Sequence, residues 1–242
     1  MKMSRIGIIG AMELEVEELK SHMTGMQVTS RAGMDFCQGT LHGAQVVIVR
    51  SGVGKVNASL CVQILADLFQ VTHVINTGVA GSLNSKLEIG DIVISKDAVH
   101  HDMDVTPLGY KPGIVPQMAE SYFKADEQLM TLAQSTCQKV NPDIHIMIGR
   151  VASGDQFITN KEVKNHLITT FHADCVEMEG ASIAHGCYLN QIPFVILRAI
   201  SDKADGSGNY DYQIDYPTFE KAAAKHCATL VEKLVETLAA SN

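Results

Sequence analysis

The 242-residue chain has no surplus of positive charge: 19 lysines and arginines stand against 27 aspartates and glutamates, a formal charge of −8. Nothing basic is left over to neutralise phosphates, which argues against a nucleic-acid or anionic-membrane partner. One or two arginines could still hold a small phosphorylated ligand. The six cysteines, at 37, 61, 137, 175, 187 and 227, form no C-x-x-C pair, so a zinc site or redox motif has no support. In a chain this large, with 46% apolar residues, reduced cytosolic thiols are expected rather than disulfides. No stretch approaches the ~18–20 apolar residues that cross a bilayer. The apolar run of the opening "MKMSRIGIIGAMELE" ends in acids rather than at a small-residue cleavage site, and a cytoplasmic location is expected. Linkers, low-complexity tracts and repeats are also lacking, so one domain over 1–242 is expected.

What is present alternates between two periods. "RIGIIG" (5–10) reads as a strand, followed by an amphipathic helix from Met12 to Met23 with Leu14, Leu19 and Met23 spaced for one face. "FCQGTL" and "QVVIVR" form a hairpin about His42-Gly43. "SGVGK" opens a helix over 55–69, and "HVINTG" is a buried strand that ends in a loop, "VAGS". Further strands are "GDIVISKDAV", "IHIMIGRVAS" and "FVILRAISD", the last with the unbroken aliphatic character of a strand covered on both faces. Further helices are expected at 126–140, after Thr159 to 170, at 179–190 and at 217–240. The segment 102–120, with three prolines and two glycines, reads as an ordered functional loop. This alternation predicts a three-layer α/β/α fold with a central mixed, largely parallel sheet. Ligands of such sheets bind at the carboxyl ends of the strands. The polar groups there are Glu13, Glu15, Ser51 to Lys55, Thr77 to Ser82, Ser153 to Phe157, Glu177 to Glu179 and Arg198 to Asp202.

The glycine loops do not complete a nucleotide motif. "GIIGAM" lacks the middle glycine of G-x-G-x-x-G, and "SGVGKV" lacks both the upstream glycine and the following Ser/Thr of a P-loop. "HHDMD" (100–104) has metal-ligand residue types but no third ligand in sight, and no metal or cofactor is expected. "ASGD" (152–155) has no G-x-S-x-G around it. Arg198 and Asp202 read as a charge pair at the end of an apolar strand, where unpaired burial would cost several kcal/mol per ion. "VEMEG" sets Glu177 and Glu179 either side of Met178. Acids there complement a helix dipole by roughly 0.3–1 kcal/mol each. Residue alternation in an extended "VEME" would turn both acids to one side.

Taken in order, "GIIGAMELEV", "SGVGKVNA", "NTGVAG", "GDIVISKDAVHHDMDVTPLGY", "SGDQFI", "VEMEGASIAH" and "RAISDKAD" resemble the 5′-methylthioadenosine/S-adenosylhomocysteine nucleosidases of the nucleoside phosphorylase-like superfamily. The resemblance covers essentially the whole chain. It implies a cytosolic homodimer that hydrolyses the adenine–ribose bond of a small nucleoside without metal or cofactor. By that resemblance Glu15 activates water, and Asp202 protonates adenine. Met178 and Glu179 bind ribose, and Arg198 stands near the water. Phe157 and Ile158 wall the adenine, and Ser201 joins the site through "RAISD". Met12, Val53, Val105 and Leu108 surround the sugar and 5′ substituent, the 102–113 loop being lent to the partner's pocket. Tyr216 aligns with the family's lid phenylalanine. Glu177 either binds ribose or holds the backbone. The chain departs from the family pattern at Val79, where a serine is common, at Leu108, where an aromatic is frequent, and in the long "GSGNYDYQIDYP". Two other readings are a purine nucleoside phosphorylase, for which Arg50 and Arg198 would have to hold phosphate against Glu15, and an adenosine-binding module, which would not need both Glu15 and Asp202.

Overall fold

The computed structural model describes residues 4–206 and 216–240. Its strands are β1 (Arg5–Gly10), β2 (Thr24–Arg31), β3 (Met34–Leu41), β4 (Ala44–Arg50), β5 (His73–Ser82), β6 (Ile92–His100), β7 (Tyr122–Lys124), β8 (Ile146–Ser153), β9 (Cys175–Glu177) and β10 (Phe194–Asp202). The helices are α1 (Glu17–Ser21), α2 (Lys55–Asp67), α3 (Glu127–Val140), α4 (Lys161–Phe171), α5 (Gly180–Asn190) and α6 (Tyr216–Ala240). All ten strands join one mixed sheet in the order β10-β6-β8-β9-β5-β1-β4-β3-β2, with β7 on β6 and a further pairing of β10 with β5.

Helices cover both faces of the sheet. On one side Ala58, Cys61, Val62 and Leu65 of α2 pack with Ala181, Ala184 and Cys187 of α5 against β1, β4 and β5. On the other, α6 lays down Ala224, Cys227, Leu230, Val231, Leu234 and Val235 beside Leu129 and Ala133 of α3. These positions recur at three- and four-residue steps, the spacing of one helical stripe. α3 and α4 start where Asp126 and Asn160 accept backbone N–H groups of the first turn, from Gln128 and Leu129 and from Glu162 and Val163. All six cysteines are free and buried. Among the described residues no helix is long and apolar enough to cross a membrane.

Three local expectations are corrected. The helix expected over 12–23 is a 3-10 turn at Glu13–Glu15 followed by the five-residue α1, because Val16 at φ −130°, ψ −11° interrupts the helical backbone. "VAGS" continues β5, pairing with β10 on one side and, at Gly81 and Ser82, with β9. β2 lies where no strand was expected, its residues almost all exposed. The segment 102–120 is a loop as expected, with a 3-10 turn inside it at Thr106–Leu108 and β7 just after it.

Candidate active site

A cavity of about 230 Å³ opens at the carboxyl ends of β1, β5 and β10. β5 runs parallel to β1 and to β10, Ile6–Ile9 pairing with 73–76 and Phe194 onward with Val74 onward. Glu15, just beyond β1, and Asp202, the last residue of β10, therefore stand on opposite sides of β5. The described lining contains five carboxylates, from Glu15, Glu177, Glu179, Asp202 and Glu220, and no lysine, arginine or histidine.

Glu15 is held by the backbone that carries it. Its Oε2 accepts N–H bonds from Ala11 (2.6 Å) and Met12 (3.0 Å), and its Oε1 accepts one from Val79 (3.1 Å). Val79 thus serves the site through its main chain, which the change from serine leaves intact. Burial pushes the Glu15 pKa up, against the opposing pull of Arg198 and these N–H groups. Gly78 makes this proximity possible: a Cβ there would sit 2.1 Å from Arg198 Nη1 and 2.4 Å from Glu15 Oε1.

The two acids of "VEMEG" have divided the work. β9 ends at Glu177, so strand alternation does not extend to Glu179. The carboxylate of Glu177 accepts the N–H groups of Glu179 and Gly180, the hydroxyl of Ser153 and the guanidinium of Arg198. Ser153 Oγ in turn accepts the Ala181 N–H at 2.7 Å. The orphan donors that begin α5 are thereby satisfied from below, and Glu179 is released from capping. Its Oε1 instead accepts the Gly54 N–H at 2.7 Å. Burial first, then the charge of Glu177, raises the Glu179 pKa to about 7.

Arg198 is fully buried and does not line the cavity. It pairs with Glu177, donates to Asn76 Oδ1 at 2.7 Å, and leaves its Nε without a protein partner. The expected Arg198–Asp202 pair is absent. Four residues of strand rise already set their Cα atoms roughly 13 Å apart, and the register of β10 against β5 shifts between Ile200 and Asp202. Asp202 instead accepts the Ser201 hydroxyl (3.0 Å) and the Ala204 N–H (2.7 Å). Burial raises its pKa, with these bonds opposing.

Met12, Val53, Phe157, Ile158, Met178 and Ser201 all reach the cavity. Ile158 is buried, whereas Phe157 and Val53 are half exposed. Val105 and Leu108 stand outside this chain's cavity, and Leu108 is 75% exposed. The side chain of Tyr216 lies outside the described residues. Gln156, within the expected Ser153 to Phe157 stretch, also lines the cavity, and so does Glu220, which sequence reasoning missed. Glu220 could have been found as an acid within the otherwise apolar stripe of α6. "HHDMD" does not converge on a metal site: His100 meets His185, and Asp102 pairs with Lys55. Among the described residues no group of three or more His, Cys, Asp or Glu could hold a metal ion.

This carboxylate-rich pocket at the carboxyl ends of parallel strands is the candidate site of the fold, and the sequence model of the phosphorylase superfamily matches residues 5–236. The 5′-methylthioadenosine/S-adenosylhomocysteine nucleosidase of Geobacillus sp. (strain WCH70) is 42% identical over 97% of this chain and 99% of its own. That of Staphylococcus haemolyticus is 40% identical over 96% and 100%. The crystal structure of the Colwellia psychrerythraea nucleosidase in complex with adenine superposes with a TM-score of 0.91 at 37% identity, covering 98% of this chain and 96% of that one. The futalosine hydrolase of Helicobacter pylori superposes at 0.90 with 32% identity, covering 97% and 98%. The chain belongs to the phosphorylase superfamily and, within it, to the 5′-methylthioadenosine/S-adenosylhomocysteine nucleosidases.

Proposed function

We propose that this enzyme hydrolyses the N-glycosidic bond of 5′-methylthioadenosine and S-adenosylhomocysteine, releasing adenine. One observation carries hydrolysis over phosphorolysis: the described lining has five carboxylates and no cationic side chain. A phosphate dianion would meet the Glu15 carboxylate with no cationic side chain in the described lining to receive it, a unit pair repelling by about 4 kcal/mol at 4 Å and an effective dielectric of 20. A ribose ring developing positive charge meets the opposite. Arg198 does not rescue phosphate, since it is committed to Glu177 and Asn76, and Arg50 is turned to Glu13 at the surface.

In the proposed reaction Glu15 takes a proton from water as its oxygen bonds to the anomeric carbon. The carbon–nitrogen bond breaks with its electron pair passing to adenine, and Asp202 delivers a proton to the purine's imidazole ring. Burial acts in the direction both roles need, because a raised pKa makes Glu15 a stronger base and makes Asp202 hold a proton more readily than a free aspartate. General acids of this kind contribute typically ~10²–10⁴-fold. Glu179 accepts bonds from the ribose hydroxyls, Met178 packs its sulfur under the sugar, and Phe157 with Ile158 flanks the base. Arg198 and Glu177 act from behind, holding the floor. Val105 and Leu108 complete the pocket of the second subunit in a two-fold homodimer, an arrangement of the self-complementary kind. The buried free thiols and the acidic surface accord with work in the cytoplasm on a free nucleoside, and the single continuous sheet accords with one nucleosidase domain over 1–242.

The test is an assay with methylthioadenosine, adenine being read by chromatography with and without phosphate. Equal rates and free methylthioribose are expected. Accumulation of methylthioribose 1-phosphate would establish a phosphorylase instead.

A further inference from the structure

Two motifs that fail as nucleotide and metal sites meet one another at the pocket rim. α2 begins at Gly54, whose φ of 97° no other residue type adopts comfortably, and which has no side chain with which to cap the helix. Two successive backbone donors at this end go to carboxylates from elsewhere in the chain. The Gly54 N–H reaches Glu179 Oε1 at 2.7 Å, and the Lys55 N–H reaches Asp155 Oδ1 at 2.8 Å. Asp155 is itself exposed, so a lone side chain there would be free to swing. It is fixed because its own N–H donates to Asp102 Oδ2 at 3.1 Å, and Asp102 Oδ1 accepts Lys55 Nζ at 2.6 Å. The bonds close a ring through three segments distant in sequence: the glycine loop, the start of the 102–113 loop, and the loop leading to Phe157 and Ile158. A Cβ on Gly54 would stand 3.1 Å from Asp155 Oδ1, so the ring is drawn tight against the glycine.

We infer that Lys55, Asp102 and Asp155 are positioning residues that aim the Gly54 N–H at Glu179 and so set how firmly that carboxylate holds the ribose hydroxyls. The inference rests on the reading of Glu179 as the ribose acid. Glu179 has a single fixed N–H donor, whereas Glu15 has three. Loosening Gly54 therefore frees Glu179 to rotate while Glu15 stays in place. Binding of a substrate with both hydroxyls should suffer, and the chemical step much less.

The experiment measures kcat and KM for methylthioadenosine and its 2′-deoxy analogue with Asp155→Ala, Asp155→Asn and Lys55→Gln, each also combined with Glu179→Gln. With Asp155→Ala, KM for methylthioadenosine should rise roughly 5–10-fold, the worth of about one hydrogen bond, with kcat nearly unchanged and the 2′-deoxy analogue little affected. Asp155→Asn keeps an acceptor for the Lys55 N–H and should restore most of the loss. Lys55→Gln opens the ring at its other end and should reproduce the Ala pattern, which guards against a folding defect peculiar to position 155. In the Glu179→Gln background the Asp155→Ala penalty should largely vanish, since contacting residues couple. Equal penalties in both backgrounds would reduce the ring to a surface clasp and overturn the inference. Equal penalties of Glu179→Gln on both substrates would overturn the ribose reading instead, while the coupling of Asp155 to Glu179 stayed measurable.

Discussion

The floor and the rim of the pocket are built by opposite rules. On the floor Glu15, Glu179 and Asp202 are at most 5% exposed, and each accepts a backbone N–H, from Ala11, Gly54 and Ala204 respectively. On the rim Val53 and Phe157 are 48% and 50% exposed, apolar, and project from loops, and Leu108, outside this chain's cavity, is 75% exposed. Charges are inside and hydrocarbon is outside, the reverse of ordinary burial. The floor is finished by one chain, its desolvation offset by main-chain donors. In the proposed homodimer the rim is finished by substrate and the second subunit.

Breaking the floor should have the largest effects. Glu15→Gln removes the base but keeps the shape, and turnover should fall by about 10⁴-fold, the upper range of general-base contributions. Binding of a non-hydrolysable analogue, read by calorimetry, should change only a few-fold. Asp202→Asn should lower turnover by roughly 10²–10³-fold, since the amide cannot supply a proton, again with analogue binding mostly kept. Near-normal turnover by either variant would remove that residue from the mechanism.

Breaking the rim should act through association. Leu108→Asp replaces an apolar group, worth roughly 1.5–3 kcal/mol when buried, by a charge. Dimerisation followed by sedimentation and activity should weaken together, by on the order of tenfold each. A fully active monomer would show that each chain completes its own pocket.

The smallest effect sharpens what the floor costs. Glu179 is unshifted in the unfolded chain but titrates at about 7 when folded. Because the folded state holds the proton more tightly, stability is fully present below the unfolded value near 4.5 and is lost as pH rises through about 7. Glu179→Gln abolishes this dependence. Relative to the native protein it should be more stable by ~1–3 kcal/mol at pH 8, with the difference fading by pH 4. Denaturant melts at the two pH values measure it, and a variant less stable at pH 8 would show that Glu179 is fixed there as a favourable charge.

The floor was legible in the sequence for the reason it is expensive in the fold. A carboxylate after a run such as "GIIGAM" or "FVILRAIS" has no solvent to serve, so its position alone flags it. Partnership was less legible. Arg198 and Asp202 stand four apart in one strand, and roughly 13 Å of strand rise separates them, which leaves Arg198 to Glu177, 21 residues away in sequence. Glu177 and Glu179 looked alike until the end of β9 set them different tasks. In the fold, the β-branched and aliphatic strands declared themselves, whereas β2, polar and exposed, carries no alternation to read. The ring of Lys55, Asp102 and Asp155 could not be anticipated, because its members are 47 to 100 residues apart in sequence.

The six buried thiols give the molecule a built-in clock. Cys61 and Cys187 lie between α2 and α5, and Cys227 faces the other side of the sheet, donating to the Gly78 carbonyl at 3.4 Å. Burial raises all three pKa values, that of Cys227 to about 12, so almost no thiolate exists in the closed protein. An alkylating reagent can reach them only when a helix lifts from its face. Labelling at Cys61 and Cys187 then times the separation of α2 from α5, and labelling at Cys227 times the departure of α6 from beneath the catalytic floor. The two sides of the sheet can thus be followed separately in one sample, without any added probe site.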